Sequence, residues 1–250
     1  MSRPVAGTRP RYLLGFHAVR EAIRAGTPLR FMAVSASRRD ARVGELLNLA
    51  RASGVPVRFE PAAALDRWAA GLRHQGVVAE AEAKLAVGVE DLLRTPTHQL
   101  LLALDGIEDP QNLGAILRSA CGAGVDGVIL PARRSAGLTE AVDRVSAGAL
   151  EHVRVARAGN LVNALETCRA AGWWITGLDA QAPVELWRHD FAPPTVLVVG
   201  AEGRGLHQLT QKRCDALVSI PLAAGVSSLN AAAAAAIVLF EVVRQRRRAG

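Results

Sequence analysis

Three segments of the chain place polar and glycine residues directly after an apolar run that is typical of a buried strand. They span residues 105–120, 200–206 and 219–230. In open α/β sheets, ligands bind at the carboxyl ends of the strands, so loops of this kind can supply a binding site. Polar groups held there can orient a substrate and stabilise developing charge. The candidate side chains are those of Asn112, Arg118, Glu202, Ser228 and Asn230.

The first segment predicts a helix that begins at Asp109-Pro110, with the aspartate as N-cap and the proline at the first helical position. Asn112 then lies in the first turn. Arg118 follows six residues later, which places it about 120° around the helix from Asn112. The alternative interpretation is an amphipathic helix whose arginine only faces solvent.

The second segment contains a glycine-rich turn, and the third segment contains the start of a helix. A strand running into the Gly-x-x-Gly-x-Gly pattern of residues 200–205 allows the backbone to approach a ligand. Glu202 in this turn either accepts from a ligand hydroxyl or caps the following helix. In the third segment Ser227 or Ser228 is the expected N-cap, with Asn230 in the first turn. Capping explains the serines but not Asn230, because asparagine is a poor residue for a helix interior.

Other chemistries find less support. Residues 122–127 match the GxGxxG pattern, so a nucleotide-dependent oxidoreductase is an alternative function. A dinucleotide site has a strand before this pattern and a helix after it, whereas here a helix precedes the pattern and a strand follows it. These residues indicate a glycine turn at a helix end. The three cysteines and six histidines lack ligand spacing, so no metal is predicted and the thiols are expected in a reducing compartment.

The remaining pattern positions these loops. Alternating helices and strands over 250 residues predict an α/β protein with a small N-terminal domain at 12–84, a linker at 85–98 and a parallel-sheet domain at 99–250. Residues 1–11 are predicted to be a basic leader. Strands are predicted at 100–104, 125–130, 152–155, 173–177, 195–199 and 217–220. Helices are predicted at 110–121, 138–147, 161–171, 206–212 and 228–247.

Charge indicates a polyanionic partner. The net charge is +7, and arginine supplies 28 of the 30 basic residues. The planar donor fork of arginine matches phosphate at two points, which favours nucleic acid. Composition bias towards arginine and alanine is the alternative explanation. No signal-peptide pattern and no apolar run of membrane-spanning length is found, so a cytoplasmic protein without a membrane partner is expected.

In order and spacing, the three segments resemble the signature motifs of the SpoU/TrmH family of RNA ribose 2′-O-methyltransferases, in the SPOUT superfamily. The matching stretches are DPQNLGAILRSA, VVGAEGRGL and SIPLAAGVSSLNAAAAAAI. LLGFHAVREAI and HQGVVA are similar to the N-terminal RNA-binding domain of the bacterial 23S rRNA guanosine-2′-O-methyltransferases, which has a ribosomal-protein-like fold. One departure is Arg204, where the family pattern leads us to expect an acidic or neutral residue.

The resemblance implies a trefoil knot around the third motif, S-adenosylmethionine bound in a bent form within it, and a homodimer whose active site draws on both chains. The implied donor-binding positions are Gly200, Ile220 and Leu229, with Gly203, Pro221 and Leu222 lining the pocket. The implied catalytic or substrate-contact positions are Asn112, Arg118, Glu202, Ser228 and Asn230. Candidate RNA contacts in the N-terminal domain are His17, Arg20, His74 and Gln75, the histidines alternatively serving as caps or core residues.

The implied reaction is methyl transfer to a ribose 2′-hydroxyl, expected at a guanosine of 23S rRNA. A guanidinium is a reluctant base, so Arg118 is expected to bind phosphate and stabilise charge on the oxygen, while a role for it as base stays open. Alternatives are a tRNA ribose methyltransferase, a resistance-type rRNA methyltransferase, and a non-catalytic RNA-binding or ribosome-assembly factor of the same fold.

Overall fold

The computed structural model describes residues 10–38, 40–223 and 225–249. The first half of the chain contains β1 (Arg11–Leu14), α1 (Phe16–Arg24), β2 (Leu29–Ser35), α2 (Ala41–Ala52), β3 (Val57–Glu60), α3 (Ala62–Ala69), β4 (Val77–Ala81), α4 (Val89–Arg94), β5 (Leu100–Asp105) and α5 (Pro110–Ala123). The second half contains β6 (Gly127–Pro131), α6 (Glu140–Ser146), α7 (Ala149–His152), β7 (Val155–Ala158), α8 (Leu161–Ala170), β8 (Trp174–Leu178), β9 (Val184–Glu185), β10 (Thr195–Gly200), α9 (Gln208–Gln211), β11 (Ala216–Ser219) and α10 (Ala231–Ala249).

The first of two compact units comprises the described residues up to Leu85 together with Leu138–His152. Its four strands lie in the order β1-β4-β2-β3, with β4 antiparallel to both of its neighbours and β2 parallel to β3. Two apolar clusters cover the two sides of this sheet. One brings together residues of α1 and α2, and the other is centred on Leu65 of α3. This is the small α/β domain that the sequence predicts.

Arg11 corrects the prediction that residues 1–11 form a leader. It lies in β1 and is buried, while residues 1–9 lie outside the described residues. Its guanidinium donates to Asp143 and to Glu151, at 2.8 Å in each case. A buried guanidinium needs such partners. The segment carrying them, 138–152, was predicted in the second domain, but the structure groups it with the first unit.

The second unit, Ala86–Gly137 with Val153–Gly250, is built on a seven-stranded sheet. Its order is β7-β6-β5-β10-β8-β11-β9, and every pairing is parallel. The stretch predicted as a linker contains α4, whose Leu92 is fully buried in the core of this unit. The predicted strand at 152–155 is displaced to Val155–Ala158, and the predicted helix at 206–212 shortens to Gln208–Gln211.

The middle of this sheet is a topological switch point. From β5 the order continues to β6 and β7 on one side, whereas β10 and β8 lie on the other. The last residue of β10, Gly200, is in register with the last residue of β5, Asp105. The loops after these two strands therefore begin side by side, where ligands of parallel α/β sheets bind. No helix within the described ranges is long and apolar enough to span a membrane.

Candidate active site

The three polar segments meet at the switch point through one side chain. The Asn230 amide nitrogen Nδ2 donates to Asn112 Oδ1 at 2.8 Å and to Glu202 Oε2 at 3.0 Å. These three residues come from the start of α5, the loop after β10 and the start of α10. Asn230 and Glu202 are solvent-exposed, so the cluster is open to a ligand.

Local sequence determines how α5 presents Asn112. Asp109 is the N-cap, accepting from the backbone N–H groups of Gln111 and Asn112 at 3.1 Å each, and Pro110 occupies the first helical position. Both predictions for this segment are confirmed. Gly124 ends the helix in a left-handed conformation, which confirms the glycine turn predicted in place of a dinucleotide motif.

The loop after β10 depends on glycine for space. A Cβ on Gly200 would lie 2.2 Å from the carbonyl carbon and oxygen of Gly205, a distance that no backbone tolerates. Gly203 and Gly205 have φ of 74° and 68°, so they turn the chain in the left-handed region. Glu202 lies in this turn and accepts from Asn230. It does not cap α9, whose N-cap is His207.

Asn230, and neither predicted serine, caps α10. Its Oδ1 accepts from the backbone N–H of Ala232 at 2.9 Å and of Ala233 at 3.3 Å. The predicted helix start at Ser228 is therefore wrong by three residues, since α10 begins at Ala231. Asparagine caps helices as well as serine does, and its amide leaves a donor free for the bridge to the other two loops.

Asp105 and His207 form a polar contact that the motifs did not indicate. The backbone N–H of His207 donates to Asp105 Oδ2 at 2.9 Å, and His207 Nδ1 lies 2.9 Å from Oδ1. Because a carboxylate only accepts, Nδ1 carries the proton in this pair. The contact holds the end of the β10 loop against β5. Asp105 is only 5% exposed in the structure, and the signal available in the sequence was an aspartate directly after the apolar run at 100–104.

A cavity of about 410 Å³ lies beyond the carboxyl ends of β8 and β11. Of the predicted donor-binding residues, Ile220, Pro221 and Leu222 line it. Gly200, Gly203 and Leu229 are not among the described residues that line it. The sequence analysis missed a second group of lining residues, although they follow strand β8 and the switch-point rule points to such loops: Ala180, Ala182, Pro183 and Glu185.

Arg118 and Ser228 are exposed and stand apart from the bonded cluster. Within the described ranges neither side chain has a hydrogen-bond partner in the protein. Arg118 lies six residues after Asn112 on α5, which is about 9 Å along the helix axis. Its guanidinium is thus free to bind an anion, and the prediction of its catalytic role stays a prediction.

The candidate RNA residues of the first unit are differently engaged. His17 is exposed on α1, and Arg20 donates to Glu21 at 3.0 Å. His74 is held in a turn, because the N–H of Gly76 donates to its Nδ1 and its Nε2 lies 3.0 Å from Asp66 Oδ1. Gln75 has a φ of 51° and is exposed beside the start of α1.

The part of the chain that the structure describes offers no metal centre, and two of its thiols are unreactive. It contains no group of three or more His, Cys, Asp or Glu side chains able to hold a metal ion. Burial raises the pKa of the Cys168 and Cys214 thiols to about 12. Both thiols therefore stay neutral at physiological pH and are poor nucleophiles.

The parallel sheet, the switch-point cluster and the adjoining cavity define a ligand-binding α/β protein, and comparison with known proteins gives its family. Residues 99–240 match the SpoU rRNA methylase family, and residues 12–85 match the RNA 2′-O ribose methyltransferase substrate-binding family. The chain belongs to the SpoU rRNA methylase family. The resemblance drawn from the three motifs is confirmed.

Relatives with this family assignment cover nearly the whole chain. It is 43% identical over 242 residues to the 23S rRNA (guanosine-2′-O-)-methyltransferase RlmB of Ralstonia nicotianae, covering 96% of this chain and 97% of that protein. It is also 43% identical over 242 residues to an uncharacterized tRNA/rRNA methyltransferase of Mycolicibacterium vanbaalenii, covering 95% of this chain and 77% of that protein.

A solved structure supports the same fold. The SpoU methyltransferase AviRb from Streptomyces viridochromogenes, in complex with the cofactor AdoMet, superposes with a TM-score of 0.79 at 29% identity. The match covers 95% of this chain and 91% of AviRb. The predicted fold class, a parallel-sheet methyltransferase domain preceded by a small α/β domain, is confirmed.

Proposed function

We propose that this protein transfers a methyl group from S-adenosylmethionine to a ribose 2′-hydroxyl of RNA, at a guanosine of 23S rRNA. The observation that carries the proposal is the Asn230 bridge, which joins all three motif segments at the switch point of the sheet. The name of the Ralstonia relative supports the choice of 23S rRNA.

The residues present fit the methyl donor. The cavity volume lies within the range of small-ligand pockets, and its lining combines apolar side chains with hydroxyl and carboxylate groups. Ile220, Pro221 and Leu222 offer a surface for a flat ring, and Ser219, Ser227 and Glu185 offer polar contacts. We assign donor contacts also to Gly200 and Gly203 in the loop after β10 and to Leu229 in the loop before α10. S-adenosylmethionine supplies a methyl group activated on a sulfonium.

The side chains of the cluster can then orient and activate the ribose. The 2′-hydroxyl is a weak nucleophile until its proton passes to solvent, and its oxygen–methyl bond forms as the bond between that methyl group and the donor sulfur breaks. We assign the orientation of the ribose to Asn112, Ser228 and Asn230, and the position of the β10 loop to Glu202. Arg118 binds phosphate and stabilises negative charge on the attacking oxygen, because a guanidinium donates hydrogen bonds and is a poor proton acceptor.

A labelled-methyl transfer assay with rRNA and tRNA from a strain lacking the gene tests the proposal. Label in 23S rRNA at a guanosine ribose is the expected result. Label in tRNA favours the second candidate, which the tRNA/rRNA methyltransferase of Mycolicibacterium supports. Donor and RNA binding without transfer to either RNA indicates an assembly factor and overturns the proposal.

Arg118→Ala tests the assigned chemistry. We expect transfer to be lost while donor binding, measured by calorimetry, persists and the melting temperature is unchanged, since Arg118 is exposed and makes no hydrogen bond to the described residues. Arg94→Ala is the matched control, because this arginine is exposed and, among the described residues, its ion pair is with Asp91 at the surface. Near-normal turnover of Arg118→Ala refutes the role.

The homodimer, the knot and the cytoplasmic location remain predictions of this proposal. If each site draws on both chains, mixing the impaired Arg118→Ala and Asn230→Asp proteins should raise activity above that of either variant alone, through mixed dimers. Sedimentation should give a mass twice that of one chain. A monomer that is fully active would remove the shared site from the proposal.

A further inference from the structure

The first unit contains a second cavity, of about 460 Å³, which none of the predicted RNA-contact residues lines. It lies between the end of β2, the first turns of α2 and the edge strand β3. Val43, Leu47 and Phe59 form an apolar surface, and Arg38 and Asp40 lie at its side. The cavity combines a flat apolar wall with fixed polar groups.

Phe59, which lines this cavity, is unusually exposed for a strand residue. It is 60% exposed although it lies in a strand, and β3 is the edge of its sheet. Because side chains alternate along a strand, Phe59 shares a face with Val57, which packs against the core under α2. Its ring therefore borders the cavity. An exposed ring that contacts no aromatic side chain in the described ranges is suited to stacking on a base.

Gly44 keeps the cavity open. It lies within α2 and lines the cavity, yet a Cβ added there would meet nothing within 4 Å. Its φ is not in the left-handed region, so the backbone does not require glycine. Glycine is unfavourable inside a helix compared with alanine. Neither packing nor backbone geometry of the described residues requires this glycine, and the space beside it is open to an occupant.

Arg38 is held in place at the same site. Its Nε donates to Asp40 Oδ2 at 2.6 Å, and Asp40 also caps α2 by accepting from the N–H of Val43 at 3.1 Å. None of the other guanidinium N–H groups donates to a residue that the structure describes. A Cβ on Gly76 would lie 3.0 Å from Arg38 Cδ, so the side chain also contacts the His74–Gly76 turn.

We propose that this cavity binds one unstacked nucleotide of the RNA, with its base on the ring of Phe59 and Arg38 donating to its polar edge or phosphate. RNA is recognised mainly through such splayed bases, and base–aromatic stacking is sequence-tolerant. The positive charge of the chain and the contact with the turn that carries His74 and Gln75 both favour RNA as the occupant. The inference rests on the proposed RNA substrate.

Two variants of the full-length protein test the site. Phe59→Ala should weaken binding of deproteinised 23S rRNA, measured by filter binding, roughly 5- to 150-fold, and Phe59→Trp should retain it. Gly44→Leu fills the cavity and should weaken binding similarly without lowering the melting temperature. Ala52→Leu is the matched control, because it places the same side chain on an exposed position of α2 away from the cavity.

The outcomes separate this inference from the proposed function. Wild-type affinity of Phe59→Ala and Gly44→Leu, with both proteins folded, overturns the nucleotide site even if methyl transfer is found. Failure of the wild-type protein to bind RNA overturns it as well. Weakened RNA binding in these two variants supports it, even if no methyl transfer is detected and the proposed reaction fails.

Discussion

Replacing Asn230 by aspartate separates the two roles of this side chain. Aspartate caps a helix as well as asparagine does, so the bonds from the N–H groups of Ala232 and Ala233 persist. The bridging donor is lost. In its place a carboxylate oxygen faces Glu202 Oε2 and Asn112 Oδ1, which now lie 3.0 Å and 2.8 Å from the amide nitrogen.

The magnitude follows from these contacts. Each hydrogen bond lost contributes about 0.5 to 1.5 kcal/mol, with the lower part of that range expected at an exposed site. Two like charges about 4 Å apart repel by about 1 kcal/mol in water. With two bonds lost in the lower part of that range and the repulsion added, we expect the free energy of unfolding to fall by about 2 to 3 kcal/mol and the melting temperature to fall by about 4 to 12 °C. Methyl transfer should fall at least about tenfold, because reactivity depends on the orientation that the bridge fixes.

Thermal unfolding and labelled-methyl transfer measure these effects, with donor binding followed by calorimetry. Asn230→Ser is the control for charge, since serine keeps the cap and adds no carboxylate. Adding Glu202→Gln to Asn230→Asp restores a donor opposite the carboxylate and should recover stability. Wild-type melting temperature and turnover in Asn230→Asp alone would refute the idea that the bridge assembles the site.

Three further results are expected. Gly200→Ala should lower the free energy of unfolding by about 3 kcal/mol or more in denaturant unfolding, because the added Cβ would overlap the backbone of Gly205. Gly203→Ala should lower it by only about 1 to 2 kcal/mol, because the only cost is the left-handed φ. Equal effects of the two substitutions would contradict this reasoning. Burial, opposed by Arg11 and reinforced by Glu151, raises the pKa of Asp143 to about 7. An unfolded aspartate titrates near 3.9, so stability relative to Asp143→Asn should fall as pH rises from about 4 to 7, and a rise would refute it. The RNA dissociation constant should increase at least about tenfold between about 50 and 200 mM KCl, and a salt-independent value would exclude arginine–phosphate contacts.

Local patterns in the sequence were sufficient to predict most strands and helices of the second unit. Apolar runs such as Leu100–Asp105 and Thr195–Gly200 are buried on both faces of a parallel sheet, so they stand out without any knowledge of their partners. The Asp109-Pro110 helix start depends only on adjacent residues. Short elements such as α4 and α9 were missed or overextended, because six or four residues give too little periodicity to detect.

Long-range partners explain the larger errors. Arg11 looks like part of a basic leader because nothing near it in sequence carries the opposing charge. Its partners Asp143 and Glu151 are more than 130 residues away. Burial of a charge depends on such partners, which no local pattern contains. For the same reason, local patterns could not predict that segment 138–152 packs with the first unit.

Asn230 shows why the candidate site was predictable in its residues but not in its geometry. The sequence made this asparagine conspicuous as an unfavourable residue for a helix interior. The structure removes that conflict because α10 begins at Ala231, directly after Asn230, so the side chain caps the helix through its oxygen. Capping uses only the acceptor, and the free amide donor then joins two loops that are distant in sequence. Serine or aspartate could supply the cap but not the donor pair, so the choice of asparagine is explained by assembly of the site rather than by stability of the helix.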